Sequence, residues 1–497
     1  MNRLFSNCLI VATIGSLSLL TAAHAREIYL SADGDDVADG SKERPWRILG
    51  KINSMDLAPG DQVLLHAGHT FAGPLLLTAE DAGTAESPVS ILTWPHDDTA
   101  RAIINAGDGT GIHVINAAGI NIRSLEIAGN GPGRNFGSGI RFVNDLPGAT
   151  RLKFVSIQQV VAHGFAGRTD RLKTMWQGKE YRVAEEGHGI AFGFGVTPDD
   201  SASGYDDVLI EDCEVYENQH TGVNFEQPQK NPKRAYAHGN IMIRRVKAHH
   251  NLGDPEFVDN HSGSGIFLNF CDTALIEHCE AWENGALCKS NVGGPVGIWT
   301  HASRCVVIRH CHSHHNRSQT LDGGGFDFDA GVSDSTIEFC HANDNSGAGL
   351  LVYTYGEAPL RMAHNHARHN VFENNSLTAN QGEVCINSHG GEWDASNSLL
   401  VENNLLIAHG ENGKACAFKL GDNEGVGMTG ILIRKNTMLS RAGAPFVRGF
   451  PGVSMRWQEN QWLATDPISS PAFQYGLKPA STVSEWKVGV EGSTAGE

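Results

Sequence analysis

The chain has 497 residues and a formal net charge of −18. So acidic a surface does not favour nucleic acid or anionic membranes, which excludes both as expected partners. If the substrate is itself acidic, a basic strip or a bound cation must offset this charge.

The N-terminal segment has the pattern of a secretory signal peptide. Arg3 precedes an apolar run, which ends at the small-x-small sequence Ala23-His24-Ala25. A membrane anchor is the alternative, but the apolar run is short and no stop-transfer charges follow it. No later stretch is long or apolar enough to cross a bilayer, so we predict no membrane insertion. We expect cleavage after residues 1–25, near Ala25, and a secreted or periplasmic protein.

A ten-residue pattern recurs through the middle of the chain, with Cys at its fifth position and Asn at its tenth. The copies follow one another by about 29 to 33 residues, a spacing typical of stacked supersecondary units. One copy has Val246 in place of Cys, so this column needs a small buried hydrophobe and not thiol chemistry. The copies are LIEDCEVYEN (209–218), MIRRVKAHHN (242–251), LIEHCEAWEN (275–284), VIRHCHSHHN (307–316) and TIEFCHANDN (336–345).

A second repeated unit lies between these copies, and it consists of Gly followed by alternating apolar positions. Alternation over four to six residues predicts a strand, and no helical period of similar length competes with it. Gly, Asn and Asp at the corners predict two or three short strands in each repeat. Together the two units predict a solenoid of parallel strands. The second unit appears as GIRF (139), GIAF (189), GVNF (222), GIFL (265), GIWT (297), GFDF (325) and GLLV (349).

This arrangement resembles the right-handed parallel β-helix of the pectate-lyase-like superfamily, over roughly residues 100 to 465. The resemblance implies an all-β solenoid with buried ladders of identical residues, in which turn asparagines bond backbone groups of the next coil. It does not fix the reaction, because the superfamily includes lyases, hydrolases, esterases, epimerases and binding spikes. The columns that carry the resemblance are Cys213, Cys279, Cys311 and Cys340, and Asn218, Asn251, Asn284, Asn316 and Asn345.

Residues 28–71 look like the opening segment of secreted proteins with this fold. The resemblance implies a strand, a turn of Gly and Asp, and a short capping helix that carries Trp46, Ile48 and Leu49. Such a helix covers the open end of the solenoid, where unpaired strand edges invite association. The expected domains are a signal peptide (1–25), a cap with the first strands (26–100), the β-helix (101–465) and a loosely ordered tail (466–497).

Ten cysteines occur in the sequence, and Cys8 lies in the leader. The remaining odd number is compatible with a disulfide framework and one free thiol. Four cysteines lie in one core column, however, which favours buried, reduced side chains. Zinc is not expected, because no two cysteines share the close CxxC spacing of a structural zinc site.

The alternation in GFDFDA predicts which residues face outwards. Phe326 and Phe328 point inwards, so Asp327 and Asp329 point to solvent, since the opposite phase would bury two carboxylates. The same phase predicts two outward columns on neighbouring strands. The column of Asp329 comprises Glu226, Asn269, His301, Asp329, Tyr353, Asn387 and Lys419. The column of Asp327 comprises Asn224, Phe267, Trp299, Asp327, Leu351, Cys385 and Ala417.

These columns suggest carbohydrate chemistry. Exposed Trp299 and Phe267 would form a stacking platform for sugar rings. Residues two apart on a strand are about 6.6 Å apart, so two carboxyls at such positions can match retaining or inverting glycosidases. Repulsion between them leaves one acid protonated and the other ionised. We predict catalytic roles for Asp327, Asp329, His301 and Tyr353, and substrate contacts for Trp299, Phe267, Asn269, Glu226, Asn224 and Lys419.

Three functions are open at this stage, and each has a polysaccharide or an oligosaccharide as its partner. A glycoside hydrolase is favoured and requires no cofactor. A polysaccharide lyase would use Ca²⁺ held by Asp322, Asp327 and Asp329, but Lys419 is the one basic residue on the deduced face. A non-catalytic glycan-binding solenoid would have no use for paired carboxylates. Loops 166–188 and 227–240 are expected to wall the cleft and set specificity.

Overall fold

The computed structural model shows a β-solenoid in which successive coils stack through parallel strands. The fold class predicted from the repeats is therefore confirmed. No helix in the described part of the chain is long and apolar enough to span a bilayer. The structure describes residues 25–95, 100–131, 137–166, 172–176, 179–183, 189–196, 203–226, 236–356, 358, 360–421, 427–449, 455–468, 473–475 and 478–480.

Three sheets run along the solenoid, and each coil adds one strand to each of them. We name them sheets A, B and C in the order in which the chain enters them. Sheet A comprises Glu27–Leu30, Gln62–His66, Val89–Trp94, Ile120–Arg123, Arg151–Gln158, Gly204–Glu211, His238–Arg244, Cys271–Glu277, Arg304–Arg309, Thr336–Glu338, Asn365–Arg368, Leu399–Glu402, Ile431–Arg434 and Met455–Gln458.

Sheet B follows after a sharp corner and is built from shorter strands. It comprises Thr70–Ala72, Ala102–Gly107, Leu125–Gly129, Val161–His163, Glu214–Tyr216, Lys247–His249, Glu280–Trp282, His312–His314, His341–Asn343, Val371–Glu373, Leu405–His409, Thr437–Arg441 and Gln461–Ala464.

Sheet C contains the Gly-led strands of the second repeated unit. It comprises Leu75–Leu77, Ile112–Ile115, Ile140–Asn144, Ile190–Val196, Thr221–Phe225, Ser264–Asn269, Val296–His301, Gly324–Asp329, Leu350–Tyr355, Val384–His389, Phe418–Leu420, Val447–Gly449, Phe473–Tyr475 and Lys478–Ala480. The last strand is antiparallel to the one before it. A separate antiparallel hairpin pairs Leu172–Trp176 with Lys179–Val183.

The corner between sheets A and B explains the Cys column. The residue before each Cys has a left-handed backbone, as at Asp212 (φ 55°) and His278 (φ 54°), so the chain bends within two residues. The next side chain then points into the core, where Cys213 is 2% exposed and Val246 is fully buried. A small hydrophobe fits this tight position, as the sequence predicts. In the later coils the column continues as Asn370, Asn404, Asn436 and Asn460.

The Asn column forms a hydrogen-bonded ladder inside the solenoid, as predicted. In each rung an asparagine donates its backbone N–H and its Nδ2–H to the Oδ1 of the asparagine in the next coil. The Nδ2–H of Asn218, for example, donates to Asn251 over 2.9 Å. Because these amides are buried, the ladder satisfies polar groups that otherwise cost stability and so fixes the spacing of the coils. Its rungs are Asn218, Asn251, Asn284, Asn316, Asn345 and Asn375.

The predicted capping helix is not confirmed. Trp46 lies in an isolated bridge with Leu30, and Ile48 is 50% exposed. A short 3-10 helix, Leu49–Ser54, follows, and its buried residues are Leu49 and Ile52. Two further 3-10 helices span Ala79–Asp81 and Gly410–Asn412. The segment therefore joins the core through a 3-10 turn and not through an amphipathic α-helix.

The cysteines in the described residues form no disulfide. Eight of them are buried and Cys305 is exposed. Burial raises the pKa of the Cys213 thiol to about 12, so the protonated form packs as a small hydrophobe. Several predictions fall on other parts of the chain: the leader up to residue 24, and most of loops 166–188 and 227–240, lie outside the described residues.

Candidate functional site

The outer face of sheet C brings the two predicted columns together. Asp327 lies opposite Trp299 on the preceding strand and opposite Leu351 on the following one. Asp329 lies opposite His301 and Tyr353 in the same way. The first column in register is Asn224, Phe267, Trp299, Asp327, Leu351, Cys385 and Lys419; the second is Asn269, His301, Asp329, Tyr353 and Asn387.

The strand phase at the centre of this face matches the prediction. Phe326 and Phe328 are fully buried in the core, so Asp327 and Asp329 project from the outer face. The acids are nevertheless shielded from water, which corrects the expectation of open exposure. Asp327 is 3% exposed, and Asp329 is half-buried. The centre of this face is therefore largely covered and is not an open sheet surface.

Burial sets the protonation state of the two acids. It is the largest cause that raises the pKa of Asp327 well above its usual value, and the charges of Asp329 and Asp322 raise it further. Burial also raises the pKa of Asp329, to about 7, against a backbone N–H of Ala330 that donates to its Oδ1 over 2.8 Å. Both shifts favour the protonated forms of Asp327 and Asp329.

Asp322, two residues before the same strand, supplies a third carboxylate. It is less buried than Asp327, and its charge contributes to the raised pKa of both other acids. The side-chain amide of Gln381 donates to its Oδ1 over 2.5 Å. In the described part of the chain these three carboxylates do not converge within 4.8 Å as a ligand group. The calcium role stays a prediction.

His301 is held in one tautomer beside Asp329. Its Nδ1–H donates to the Oδ1 of Asn269 over 2.8 Å, and the hydroxyl of Tyr355 lies 3.0 Å from its Nε2. An amide oxygen only accepts, so Nε2 is the nitrogen that accepts from Tyr355. Burial lowers the pKa of His301 to about 4, so the ring is neutral at neutral pH. Asn269 thus orients His301, a role that differs from the predicted substrate contact.

Two tyrosines extend the site along the next strand. Tyr353, opposite Asp329, shares a hydrogen bond of 2.9 Å with the Nδ1 of His389. Tyr355 follows two residues later on the same face and reaches His301. The sequence contained a signal for Tyr355, because it continues the alternation one step beyond Tyr353. Asp329, Tyr353 and the exposed His389 mark the accessible part of this face.

The predicted stacking platform is wrong for Trp299. Its ring is 3% exposed and stacks on Phe267 with centroids 3.7 Å apart and planes within 7°. The His261 ring packs edge-on against the Trp299 ring. The indole Nε1–H of Trp299 donates to the Oγ of Ser264 over 3.2 Å. Trp299 therefore has no free face for a sugar and supports the sheet beside Asp327. Phe267 is half-buried and remains a candidate contact.

Glu226 forms an ion pair that the sequence analysis did not include. Its Oε2 lies 3.1 Å from Nη1 of Arg141, a guanidinium that is 8% exposed, and Asn224 donates to its Oε1 over 2.7 Å. A Cβ on Gly195 would collide with this guanidinium, so the glycine keeps the space open. Arg141 belongs to GIRF, so the alternation pattern already placed it outwards. Glu226 and Asn224 therefore form a structural cluster three strands from Asp329.

Lys419 lies in the column of Asp327 and not, as predicted, in that of Asp329. It pairs with Cys385, two positions from the register that the sequence suggested, and it is 6% exposed. It lies three strand spacings from Asp327, which is about 14 Å at the usual strand separation. A buried amine at that distance does not neutralise a uronate beside Asp329.

Comparisons with known proteins agree with this architecture. A family model described as the right handed beta helix region matches residues 193–372 and 296–438. A lacto-N-biosidase of Bifidobacterium longum subsp. longum is 36% identical over 97 residues, which are 19% of this chain and 6% of that protein. The matched segment is thus a small part of the curated relative.

Two solved structures of the GH136 lacto-N-biosidase from Eubacterium ramulus superpose on this chain. The native protein gives a TM-score of 0.55 and the selenomethionine derivative 0.56, both at 17% identity. Each comparison covers 88% of this chain and 68% of the other. At this identity the likeness shows the fold. The chain therefore has the right-handed parallel β-helix fold.

Proposed function

We propose that this protein is a glycoside hydrolase whose active site is on the outer face of sheet C. One observation carries the proposal: Asp329 is a half-buried carboxyl with a pKa raised to about 7, and it lies among other carboxylates at the accessible part of this face. A general acid works best when its pKa is near the working pH. Asp329 therefore suits the protonation of a glycosidic oxygen as the bond breaks.

The ionised partner of Asp329 is Asp322 in this proposal. Glycosidases need one protonated carboxyl and one ionised carboxylate. Asp327 is a poor choice for the ionised group because it is almost fully buried, and its Oδ1 has no hydrogen-bond partner among the described residues. Asp322 accepts an amide hydrogen bond from Gln381. The sequence suggested Asp327 and Asp329 as the catalytic pair. In this proposal the pair is Asp329 as the acid and Asp322, outside the strand, as the ionised carboxylate.

The other groups of the site position Asp329 and the sugar. His301, neutral and fixed by Asn269, presents a rigid ring beside Asp329. Tyr353 and His389 offer a hydroxyl and an imidazole at the accessible part of the outer face, where hydrogen bonds to sugar hydroxyls form readily. Phe267 lies farther along the face as an apolar contact. The substrate is an oligosaccharide or polysaccharide chain.

The relatives support this class of reaction. Lacto-N-biosidases match both a segment of the sequence and the solenoid fold. Lys419, the basic residue that a lyase could use to neutralise a uronate, lies three strands away from Asp327, which favours a hydrolase. Export to the periplasm or beyond, proposed from the leader sequence, would bring the enzyme to extracellular glycans.

The test is an activity screen with product analysis. The purified protein is incubated with an aryl lacto-N-bioside, a panel of other aryl glycosides and a set of neutral and anionic polysaccharides. New reducing ends or released phenol, without the absorbance of unsaturated uronates, would support a hydrolase. Appearance of that absorbance would identify a lyase instead. Glycan binding with no turnover on any substrate would contradict both enzymatic functions.

A further inference from the structure

A cluster of two histidines and a glutamate lies on the outer face of sheet B, away from the sheet C site. Glu280 is opposite His312 on the next strand and diagonal to His314. Its Oε1 is 3.2 Å from Nε2 of His314 and 3.7 Å from Nδ1 of His312. All three ligand atoms lie within 4.8 Å of one another. The side chains are partly buried, so the cluster is preorganised yet reachable from solvent.

A hydrogen bond to Asn343 fixes which nitrogen of a neutral His312 ring carries the proton. Asn343 donates its Nδ2–H to Asp344 over 2.6 Å, which directs its Oδ1 towards the Nε2 of His312, 2.6 Å away. An amide oxygen only accepts, so Nε2 of His312 carries the proton of that bond. In the neutral ring the other nitrogen, Nδ1, presents its lone pair to Glu280.

A contact with His315 fixes the tautomer of His314 in a similar way. The Nδ1 atoms of His314 and His315 are 2.8 Å apart, so one of them donates to the other. Nε2 of His315 faces the carboxylate of Asp344 at 3.9 Å, which favours a proton on that nitrogen. Nδ1 of His315 then accepts from His314, and Nε2 of His314 presents its lone pair to Glu280.

Two imidazole lone pairs and a carboxylate oxygen therefore converge on one point. Such acceptors repel one another unless a cation lies between them. We propose that Glu280, His312 and His314 bind a divalent transition-metal ion, Zn²⁺, with solvent as the fourth ligand. Tetrahedral zinc with bonds of about 2.0–2.1 Å separates its ligand atoms by about 3.3 Å, close to the two distances found here. Asn343 and His315 are the outer partners that metal-binding histidines commonly have.

The repeat supplies an internal comparison. The diagonal Glu–His contact occurs in two earlier coils, between Glu126 and His163 at 3.3 Å and between Glu214 and His249 at 3.1 Å. The position equivalent to His312 holds Val161 in one coil and Lys247 in the other. The Glu–His pair is thus a recurring structural contact. His312 is the residue that converts it into a three-ligand site.

This comparison provides matched variants for a binding test. His312→Val and His312→Lys place at this site the side chains that the earlier coils already tolerate. Lys247→His rebuilds the third ligand in the coil of Glu214 and His249, whose Nδ1 also lies 2.8 Å from a neighbouring histidine, His250. The chelator-treated full chain, without an affinity tag, is titrated with Zn²⁺ by calorimetry near pH 7.5, with Ca²⁺ as the hard-cation control.

The expected result is one Zn²⁺ site in the parent protein that raises its Tm and that Ca²⁺ does not fill. His312→Val should weaken the affinity more than about tenfold, since it removes a direct ligand where loss of an outer partner alone costs 10–100-fold. Lys247→His should raise the zinc stoichiometry to two. Equal zinc affinity in the parent protein and in folded His312→Val would overturn the proposal, as would a parent protein that binds no zinc.

Discussion

Asp329 and His301 occupy paired positions on neighbouring strands of sheet C, with the histidine held neutral and the aspartic acid poised near neutral pH. The neutral ring adds no charge beside Asp329, so burial and the acidic neighbours determine the protonation of that carboxyl. This relationship makes Asp329 the residue on which the proposed chemistry depends.

Replacement of Asp329 by Asn should abolish turnover without loss of the fold. The amide has the same shape but donates no proton to a leaving group, and general acids contribute about 10²–10⁴-fold to rate. We expect kcat to fall by about a thousandfold, with an unchanged Tm, on the best substrate from the screen. The control is Asp334→Asn, an exposed acid of the same coil that pairs with His364. Equal activity of Asp329→Asn and the parent protein would remove this residue from the mechanism.

The pH dependence of kcat/KM should report the same group. Because the acid must be protonated, activity should be lost as the pH rises through about 7, the pKa of Asp329. The charge of Asp322 contributes to that raised pKa, so Asp322→Asn should move the alkaline limb of the residual activity to lower pH. Full activity at pH 9, or a limb that Asp322→Asn leaves in place, would contradict these assignments.

Asp327→Asn should change how stability depends on pH. The pKa of Asp327 is raised on folding, so the folded state holds a proton that the unfolded chain releases above its ordinary value of 3.8. The contribution of Asp327 to stability is therefore full at low pH and is lost as the pH rises. Urea denaturation at pH 4 and pH 8 should show a larger loss for the parent protein than for the variant. An identical loss in both proteins would show that this carboxyl is ionised in the fold.

Trp299 should prove to be a stability residue. Its ring is buried between Phe267 and His261, and loss of a buried tryptophan typically costs about 3–5 kcal/mol. We expect Trp299→Ala to lower the free energy of unfolding by an amount in this range, and Phe267→Ala, at a half-buried position, to cost less. Denaturant titrations of both variants measure the difference. An unchanged stability in Trp299→Ala, with a raised KM, would restore the sugar-platform role.

The repeats predicted the solenoid, the inward Phe326 and Phe328, and most of both columns, because a buried ladder repeats the same residue types coil after coil. Alternation did not settle the register at Lys419. A pattern with period two distinguishes the faces of a strand, but it reads the same after a shift of two residues. The strand there is also short, Phe418–Leu420, so few positions constrain the pairing.

The repeat pattern also does not predict which segments cover the outer face of sheet C. Alternation predicts that an outward position on a strand is exposed. His261, which lies outside the described strands, instead packs against Trp299 and covers it. Such long-range covering leaves no periodic signal in the chain. The outward positions of Arg141 and Tyr355 could be predicted, because both residues continue the alternation of their Gly-led strands. The local pattern thus predicts direction along a strand, whereas burial depends on segments that return from elsewhere.

A buried glutamate ends the asparagine ladder. Asn375 donates its Nδ2–H over 2.7 Å to Glu383, which is fully buried and takes the acceptor place of the next asparagine. Burial, the largest cause, raises the pKa of Glu383 from its usual 4.5 to about 8 despite these bonds. The folded protein therefore keeps a proton that the unfolded chain releases, and the contribution of Glu383 to stability is lost between about pH 4.5 and 8.

Glu383→Gln should remove this pH dependence, because an amide oxygen can accept the same bonds without a charge. Relative to the parent protein, the variant should gain stability as the pH rises through that window, with no further gain above it. Denaturant midpoints at pH 5, 7 and 9 measure the effect, and Glu392→Gln, at an exposed position, is the control. A stability difference that stays constant across these pH values would show that Glu383 is ionised, and that the ladder ends on a buried charge.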